Sequence, residues 1–237
     1  MENITAIITT FNRPQSLDKL VNSIIFYYPD LKIIIVDNGE KEPITKYKNV
    51  DYYKIPFDSG LSFSRNYGVE RVKTKYVLLL DDDFEFTENT KPEKMLEVAE
   101  KGFDFVGGNV EGLDYHGILE RDGKTLRYVK GDRGELNGYK MFDLILNFFL
   151  ARTDVLKNNK WNDELKLAEH TDFFLRLKGK AKITYLDLVK IRHNHDRNAD
   201  YDNYRLRGQK FMKLFMEKNK IDKIINYIGE ETEISQL

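Results

Sequence analysis

Residues 75–84 constrain this chain more than any other stretch. Tyr76, Val77, Leu78, Leu79 and Leu80 run without a break into Asp81, Asp82 and Asp83. A continuous apolar run bounded by polar residues fits a strand buried on both faces, as in a parallel sheet covered by helices. Three carboxylates at its end do not fit a core, because buried unpaired charge is costly. They must face water, a cation or a charged ligand. Side chains alternate along an extended chain, so Asp81 and Asp83 are expected on one side and Asp82 on the other. Two carboxylates on one side suit a hard divalent cation such as Mg²⁺ or Mn²⁺. Ligands of open α/β sheets bind outside the carboxyl ends of strands, and the acidic cluster lies at such an end.

Rival motifs fail on spacing. An EF-hand loop starting at Asp81 needs Gly at its sixth position and Glu at its twelfth; Phe86 and Pro92 stand there. A Walker B strand needs a phosphate-binding loop. The nearest candidate, residues 117–125, is one residue too long and follows no apolar strand. A G-x-G-x-x-G fingerprint is absent, so a dinucleotide site is unsupported. A solvated acidic loop is the bland alternative.

Composition narrows the class. The 237 residues suffice for one large domain or a domain with an appendage. Hydrophobic residues at 41% and charged residues at 32% describe a soluble globular chain. A net charge of −1 carries no nucleic-acid signature. Without Cys there is neither a disulfide framework nor thiolate chemistry. The first residues lack a basic and apolar leader pattern, so no signal peptide is expected. No stretch approaches the ~20 apolar residues of a membrane span. The expected location is the cytoplasm, with contact to the inner face of the membrane as an extension.

Read in order, the chain alternates strands and helices. Residues 4–10 are expected as the first strand. Asn12 can cap a helix whose first turn holds Pro14, and Leu17, Leu20, Val21, Ile24, Ile25 and Tyr28 mark its buried face. A second strand at 32–36 ends in Asp37, making a βαβ unit with parallel strands. Residues 50–55 form a third strand, and Ser62 or Ser64 can cap the next helix. The acidic strand follows, then a helix opened by Pro92, then a strand at 103–106 with Gly107 and Gly108 allowing close backbone approach. The pattern is lost over 111–139, which reads as an excursion or hairpin. Residues 144–151 and 183–189 read as strands and 169–178 as a helix. From 201 the tail reads as helical, with Tyr204, Phe211, Leu214 and Phe215 on one side and Ile221, Ile224, Ile225 and Ile228 continuing it; residues 230–237 read as loose. Packing on the domain is the default for this tail, with a second subunit or a membrane surface as alternatives.

Four segments carry a resemblance by their order: Thr9-Thr10-Phe11-Asn12-Arg13, the strand end at Asp37, residues 60–68 with Arg65 and Asn66, and the Asp81-Asp82-Asp83 strand end. Together they resemble GT-A-fold glycosyltransferases of the family-2 type. Two later segments, from Asn147 to Asp154 and from Ala168 to Phe174, are similar to the ganglioside β1,4-N-acetylgalactosaminyltransferase group. The resemblance implies an α/β fold of the GT-A kind: a Rossmann-like, mostly parallel sheet flanked by helices. The domain is expected over 1–200, with a helical tail over 201–237.

It further implies a metal-dependent, inverting transfer of GalNAc, GlcNAc, Gal or Glc from a UDP-sugar donor to a glycan or glycolipid acceptor, in polysaccharide or glycoconjugate synthesis. Thr9, Phe11, Arg13, Asp37 and Arg65 are expected around the nucleotide with Asp81 and Asp82. Asp83, with Asp81, is expected on Mn²⁺ or Mg²⁺. His193 and His195 share one side of an extended segment, and the resemblance makes one or both further metal ligands. The base for the acceptor hydroxyl falls among Glu169, His170 and Asp172. Glu169 is favoured, with Asp172 on the same helix face. A homo-oligomer is an open expectation. The alternatives are a sugar-nucleotide nucleotidyltransferase and a non-catalytic nucleotide- or glycan-binding module.

Overall fold

The structure, a computed structural model, describes residues 1–41, 49–195 and 199–237. The chain opens with β1 (Ile4–Thr10), α1 (Pro14–Tyr27) and β2 (Lys32–Asp37). Then come β3 (Val50–Lys54), α2 (Leu61–Arg71), β4 (Tyr76–Asp81) and the short β5 (Phe84–Glu85). Next are α3 (Pro92–Ala99), β6 (Phe105–Val110), a hairpin of β7 (Ile118–Asp122) and β8 (Thr125–Val129), and a small pair of β9 (Glu135–Leu136) and β10 (Tyr139–Lys140). The second half holds β11 (Phe149–Arg152), α4 (Thr153–Asn158), α5 (Glu169–Leu177) and β12 (Ile183–His193). It ends with α6 (Ala199–Leu206), α7 (Gly208–Lys218), β13 (Lys223–Ile225) and β14 (Glu231–Glu233).

The main sheet runs β3-β2-β1-β4-β11-β6-β12-β5. β1, β2, β3 and β4 are mutually parallel, as βαβ connections require. β11 lies antiparallel between β4 and β6, so the parallel order is interrupted at the centre. The strands explain their own apolar runs. Along β4, Val77 and Leu79 enter one core cluster and Tyr76, Leu78 and Leu80 the other. The period of two therefore feeds two buried faces, and neither face tolerates a polar residue.

Local expectations fare differently. Pro14 does open α1, but Asn12 does not cap it. Asn12 sits at φ 55 and its Oδ1 accepts the backbone N–H groups of Glu40 and Lys41 at 2.6 and 3.1 Å, tying the ends of β1 and β2 together. Ser62 and Ser64 do not cap α2 either; they donate to the carbonyls of Leu165 and Gly60, both at 2.7 Å. The cap residue is Gly60 at φ 89, where a Cβ would meet Lys166 at 2.6 Å. At Gly108 a Cβ would strike Phe148 at 2.4 Å, the close approach expected of the glycine pair.

The tail departs from expectation in its second half. Helix α7 ends near Lys220, at φ 53, and the next segment is strand, not helix. β13 pairs in parallel with β8, with Ile224 opposite Leu126, and β14 pairs with β13. The open edge of the 111–139 excursion thus captures the tail in a second, four-stranded sheet. Residues 230–237 are not loose: Ile234 and Leu237 pack against the core. Among the described residues no helix is long and apolar enough to cross a membrane.

Candidate active site

The carboxyl ends of β1 and β4 are adjacent, with Thr9 in register with Asp81. The chain leaves β4 at Asp81 and turns through Asp82 and Asp83, so strand alternation stops there. All three carboxylates consequently line one cleft of about 400 Å³. Asp82 is therefore not turned to the opposite side. Its Oδ2 accepts Thr10 Oγ1 at 2.6 Å and its Oδ1 accepts Arg13 Nη1 at 2.8 Å. Burial, opposed by Arg13, pushes this carboxyl up to about 7. Asp83 Oδ2 accepts both Arg13 Nη atoms at 3.1 Å and meets His193 Nε2 at 3.2 Å. Burial raises Asp83, but the bonds from His193 and Arg13 outweigh it and hold the group below the ordinary carboxylate value.

Arg65 is only 1% exposed, where an isolated cation is prohibitively costly. It survives there as a bridge, donating to Glu169 Oε1 at 2.5 Å and to Asp81 Oδ1 at 3.3 Å. Asn147 donates to the other oxygen of Asp81 at 3.1 Å. Burial pushes Asp81 up against the pull of Arg65. Thr9 Oγ1 is buried in the same cleft without a partner. Phe11 lies between Phe57, at 5.5 Å, and Tyr204 of α6, at 4.8 Å. Helix α6 is fastened by Arg207, which donates to both oxygens of Asp58 at 2.8 and 2.7 Å.

Two expected participants stand outside the cleft wall. Asp37 is buried and accepts Tyr52 Oη at 2.6 Å, Lys54 Nζ at 3.0 Å and the Gly39 N–H at 2.7 Å. Parallel pairing sets Lys54 directly opposite Asp37, and its neighbour Asn38 faces the cleft instead. His195 does not share the position of His193, because β12 ends at His193; the two rings meet edge-on at 4.4 Å. A bulge between Leu186 and Lys190 lets β12 continue to pair with β5, with His193 opposite Phe84, and this delivers His193 to Asp83.

The three candidate bases separate clearly. Glu169 is held by Arg65. Asp172 points to Arg176 at 2.9 Å and Asn219 at 3.1 Å, so it does not share the cleft-facing side with Glu169. His170 lines the cleft. Its Nε2 donates to the Ile145 carbonyl at 2.6 Å, since a carbonyl only accepts, and Nδ1 is left as the lone-pair nitrogen. Burial lowers His170 to about 4, so the ring is neutral at neutral pH. Sequence reasoning missed Asn38, Asn147, Tyr115 and Arg205, which also line the cleft. Asn38 and Asn147 had a signal, each lying in a segment already singled out for its resemblance, the strand end at Asp37 and the stretch from Asn147 to Asp154.

The strand ends thus carry an acidic triplet, backed by two buried arginines, at the lip of an α/β sheet of the GT-A kind. The model of the family described as "Glycosyl transferase family 2" matches residues 5–159, and the chain belongs to that family. The chain is 36% identical over 203 residues to mouse Beta-1,4 N-acetylgalactosaminyltransferase 2, covering 81% of this chain and 40% of the relative. It is 34% identical over 210 residues to human Beta-1,4 N-acetylgalactosaminyltransferase 1, covering 81% and 39%. The chain thus spans about two fifths of the length of these relatives. Among solved structures, S. aureus TarS 1-349 in complex with UDP-GlcNAc superposes with a TM-score of 0.63 at 17% identity, covering 90% of this chain and 65% of that one.

Proposed function

We propose that the chain transfers a sugar from a UDP-sugar donor to the hydroxyl of a glycan acceptor, with inversion at the transferred carbon. The observation that carries this reading is the convergence of Asp81, Asp82, Asp83, Arg13, Arg65 and His170 on one cleft at the strand ends. Family membership and the N-acetylgalactosaminyltransferase relatives support sugar transfer, and the UDP-GlcNAc complex of a neighbour of similar fold supports the donor class. N-Acetylgalactosamine is the first sugar to try.

In the reaction, the acceptor oxygen forms its bond to the sugar's C1 as the C1–O bond to the diphosphate breaks. The bonding electrons leave with UDP and the acceptor proton passes to Nδ1 of His170. A neutral His170 with a fixed tautomer can take that proton, whereas Glu169 and Asp172 are engaged with cations or amides. Its value of about 4 makes it no stronger a base than a carboxylate, and such groups typically contribute about 10²–10⁴-fold. Arg65 holds Glu169 and Asp81 in place, and Thr9 Oγ1 is ready to bond the donor.

A divalent cation fits the remaining groups. Asp83 offers a carboxylate and His193 an imidazole whose Nε2 lies 3.2 Å from it, a donor set suited to Mn²⁺. Among the described residues no third His, Asp or Glu completes a cage, so diphosphate and water oxygens would fill the shell. Held by Asp83 and His193, such a cation would neutralise charge developing on the departing diphosphate. The test is transfer from UDP-GalNAc, UDP-GlcNAc, UDP-Gal and UDP-Glc with and without Mn²⁺. Binding without turnover of any of them would leave the binding-module alternative standing.

A further inference from the structure

The two walls of the cleft differ in charge. One carries the acidic triplet and two arginines. The other is formed by Val110 at the end of β6, Leu113 and Tyr115 in the loop that follows, and Leu146. None of these four bears a charge, and His170 between the walls is held neutral. Leu113 is 40% exposed at this mouth, an apolar side chain offered to whatever enters. Tyr115 is fixed from behind: its ring meets Tyr227 edge-on at 5.3 Å, Tyr128 at 5.8 Å and His170 at 6.2 Å. Gly117 makes room for that support, since a Cβ there would come within 2.5 Å of the Val129 carbonyl and 3.0 Å of Tyr227.

From this geometry we infer that Leu113 and Tyr115 form the acceptor subsite, and that it takes an uncharged pyranose ring lying against the Tyr115 side chain. The inference rests on the sugar-transfer reading above. The physical argument is one of matching. A pyranose has an apolar C–H face that suits a rigid aromatic wall and hydroxyls that stay in water or reach His170. A ring carrying a carboxylate or phosphate would bring a charge against four uncharged side chains, and desolvating such a charge is costly; Arg205, the further cation of the cleft, is carried by α6, whose Tyr204 packs on Phe11, and not by this wall. The wall therefore selects against uronic and sialic residues at this position. It also gives the tail a role: Tyr227, which follows β13, supports Tyr115 only because β13 pairs with β8.

Saturation-transfer NMR on the full chain, with UDP and Mn²⁺ present, tests this. The probes are methyl β-galactoside, methyl N-acetyl-β-galactosaminide and methyl β-glucuronide. At least one of the two neutral glycosides is expected to receive saturation, and the glucuronide none. In Tyr115→Ala the glycoside signal is expected to fall about tenfold, the worth of one good aromatic contact, while Tyr115→Phe retains it. UDP in the same tube reports the donor side and the integrity of the fold. If Tyr115→Ala loses UDP as well, Leu113→Ala decides, with the glycoside signal falling and UDP kept. The subsite is overturned if UDP binds but no neutral glycoside does, if the glucuronide binds as well as they do, or if the signal survives the deciding substitution. Failure of the unaltered chain to bind UDP would instead overturn the sugar-transfer reading, and this inference with it.

Discussion

The two walls of the cleft are built by opposite strategies. The acidic wall grows from neighbouring parallel strands, and its charged groups are already paired: Asp82 and Asp83 with Arg13, Asp81 and Glu169 with Arg65. The apolar wall grows from the end of β6, the loop after it and Leu146, and is backed by segments far apart in sequence, a hairpin near residue 120 and a strand pair near residue 225, through ring contacts and a small second sheet. Bonded charge fixes geometry but makes each member indispensable. Apolar contact tolerates change in smaller steps. The acidic wall should therefore fail abruptly under substitution and the apolar wall gradually.

Arg65→Leu should have the largest effect. It leaves Glu169 and Asp81 without their shared cation, and breaking a buried pair this way costs roughly 3–5 kcal/mol. Chemical denaturation would read it; a loss below about 1 kcal/mol, the scale of an exposed pair, would show that the bridge is not what holds this wall. Asp83→Ala should come next. Cation-assisted charge stabilisation is worth several kcal/mol, so transfer should fall on the order of 10³-fold. A chelator should reproduce most of that loss in the unaltered chain and add little in the variant.

His170→Gln should be milder, about 10²-fold in kcat with donor KM little changed, because a base this weak sits at the low end of its class. Its pH signature separates it from a structural role. His170 has a folded value of about 4 against an ordinary 6.5, so the unfolded chain binds the extra proton between those values. Its contribution to stability is full above 6.5 and is lost as pH falls toward 4. The acid limb of the rate should fall near 4 in the unaltered chain. Persistence of that limb in His170→Gln would assign it to another group.

The contrast between the walls also explains what could be read in advance. The acidic wall was legible because it lies at strand ends: apolar runs stopping in polar residues located β1, β2 and β4, and chain order alone brought them together. What escaped was whatever depended on a partner across the sheet. Asp37 looked available until β3 set Tyr52 and Lys54 against it. The burial of Arg65 escaped too, because the carboxylate that compensates it, Glu169, lies 104 positions away, beyond any local pattern. The Ile221–Ile228 stretch has helical spacing over too few residues to outweigh an open strand edge, and nothing local marks that edge as free. The face of α5 was misjudged for a similar reason, since Asp172 is claimed by Arg176 and by Asn219 from the tail.

The smallest expected effect lies where the two strategies meet. Tyr128 of β8 and Thr171 of α5 share a hydroxyl–hydroxyl bond of 2.7 Å, both buried, one residue beyond His170. This bond joins the second sheet to the helix that carries the proposed base. Tyr128→Phe keeps the ring contacts with Tyr115 and Tyr227 and removes only the hydroxyl. Thr171 can turn its hydroxyl elsewhere, so the cost should be about 1 kcal/mol, the net worth of a neutral hydrogen bond. If the sheet merely packs on α5, stability falls by that amount and kcat does not change. If the bond orients His170, kcat should fall a few-fold at unchanged donor KM, and Thr171→Val should fall with it, while the double variant adds little beyond either single one. Independent, additive losses would mean that the apolar wall and the base helix are neighbours without being coupled, and the gradual failure expected of that wall would then stop short of the chemistry.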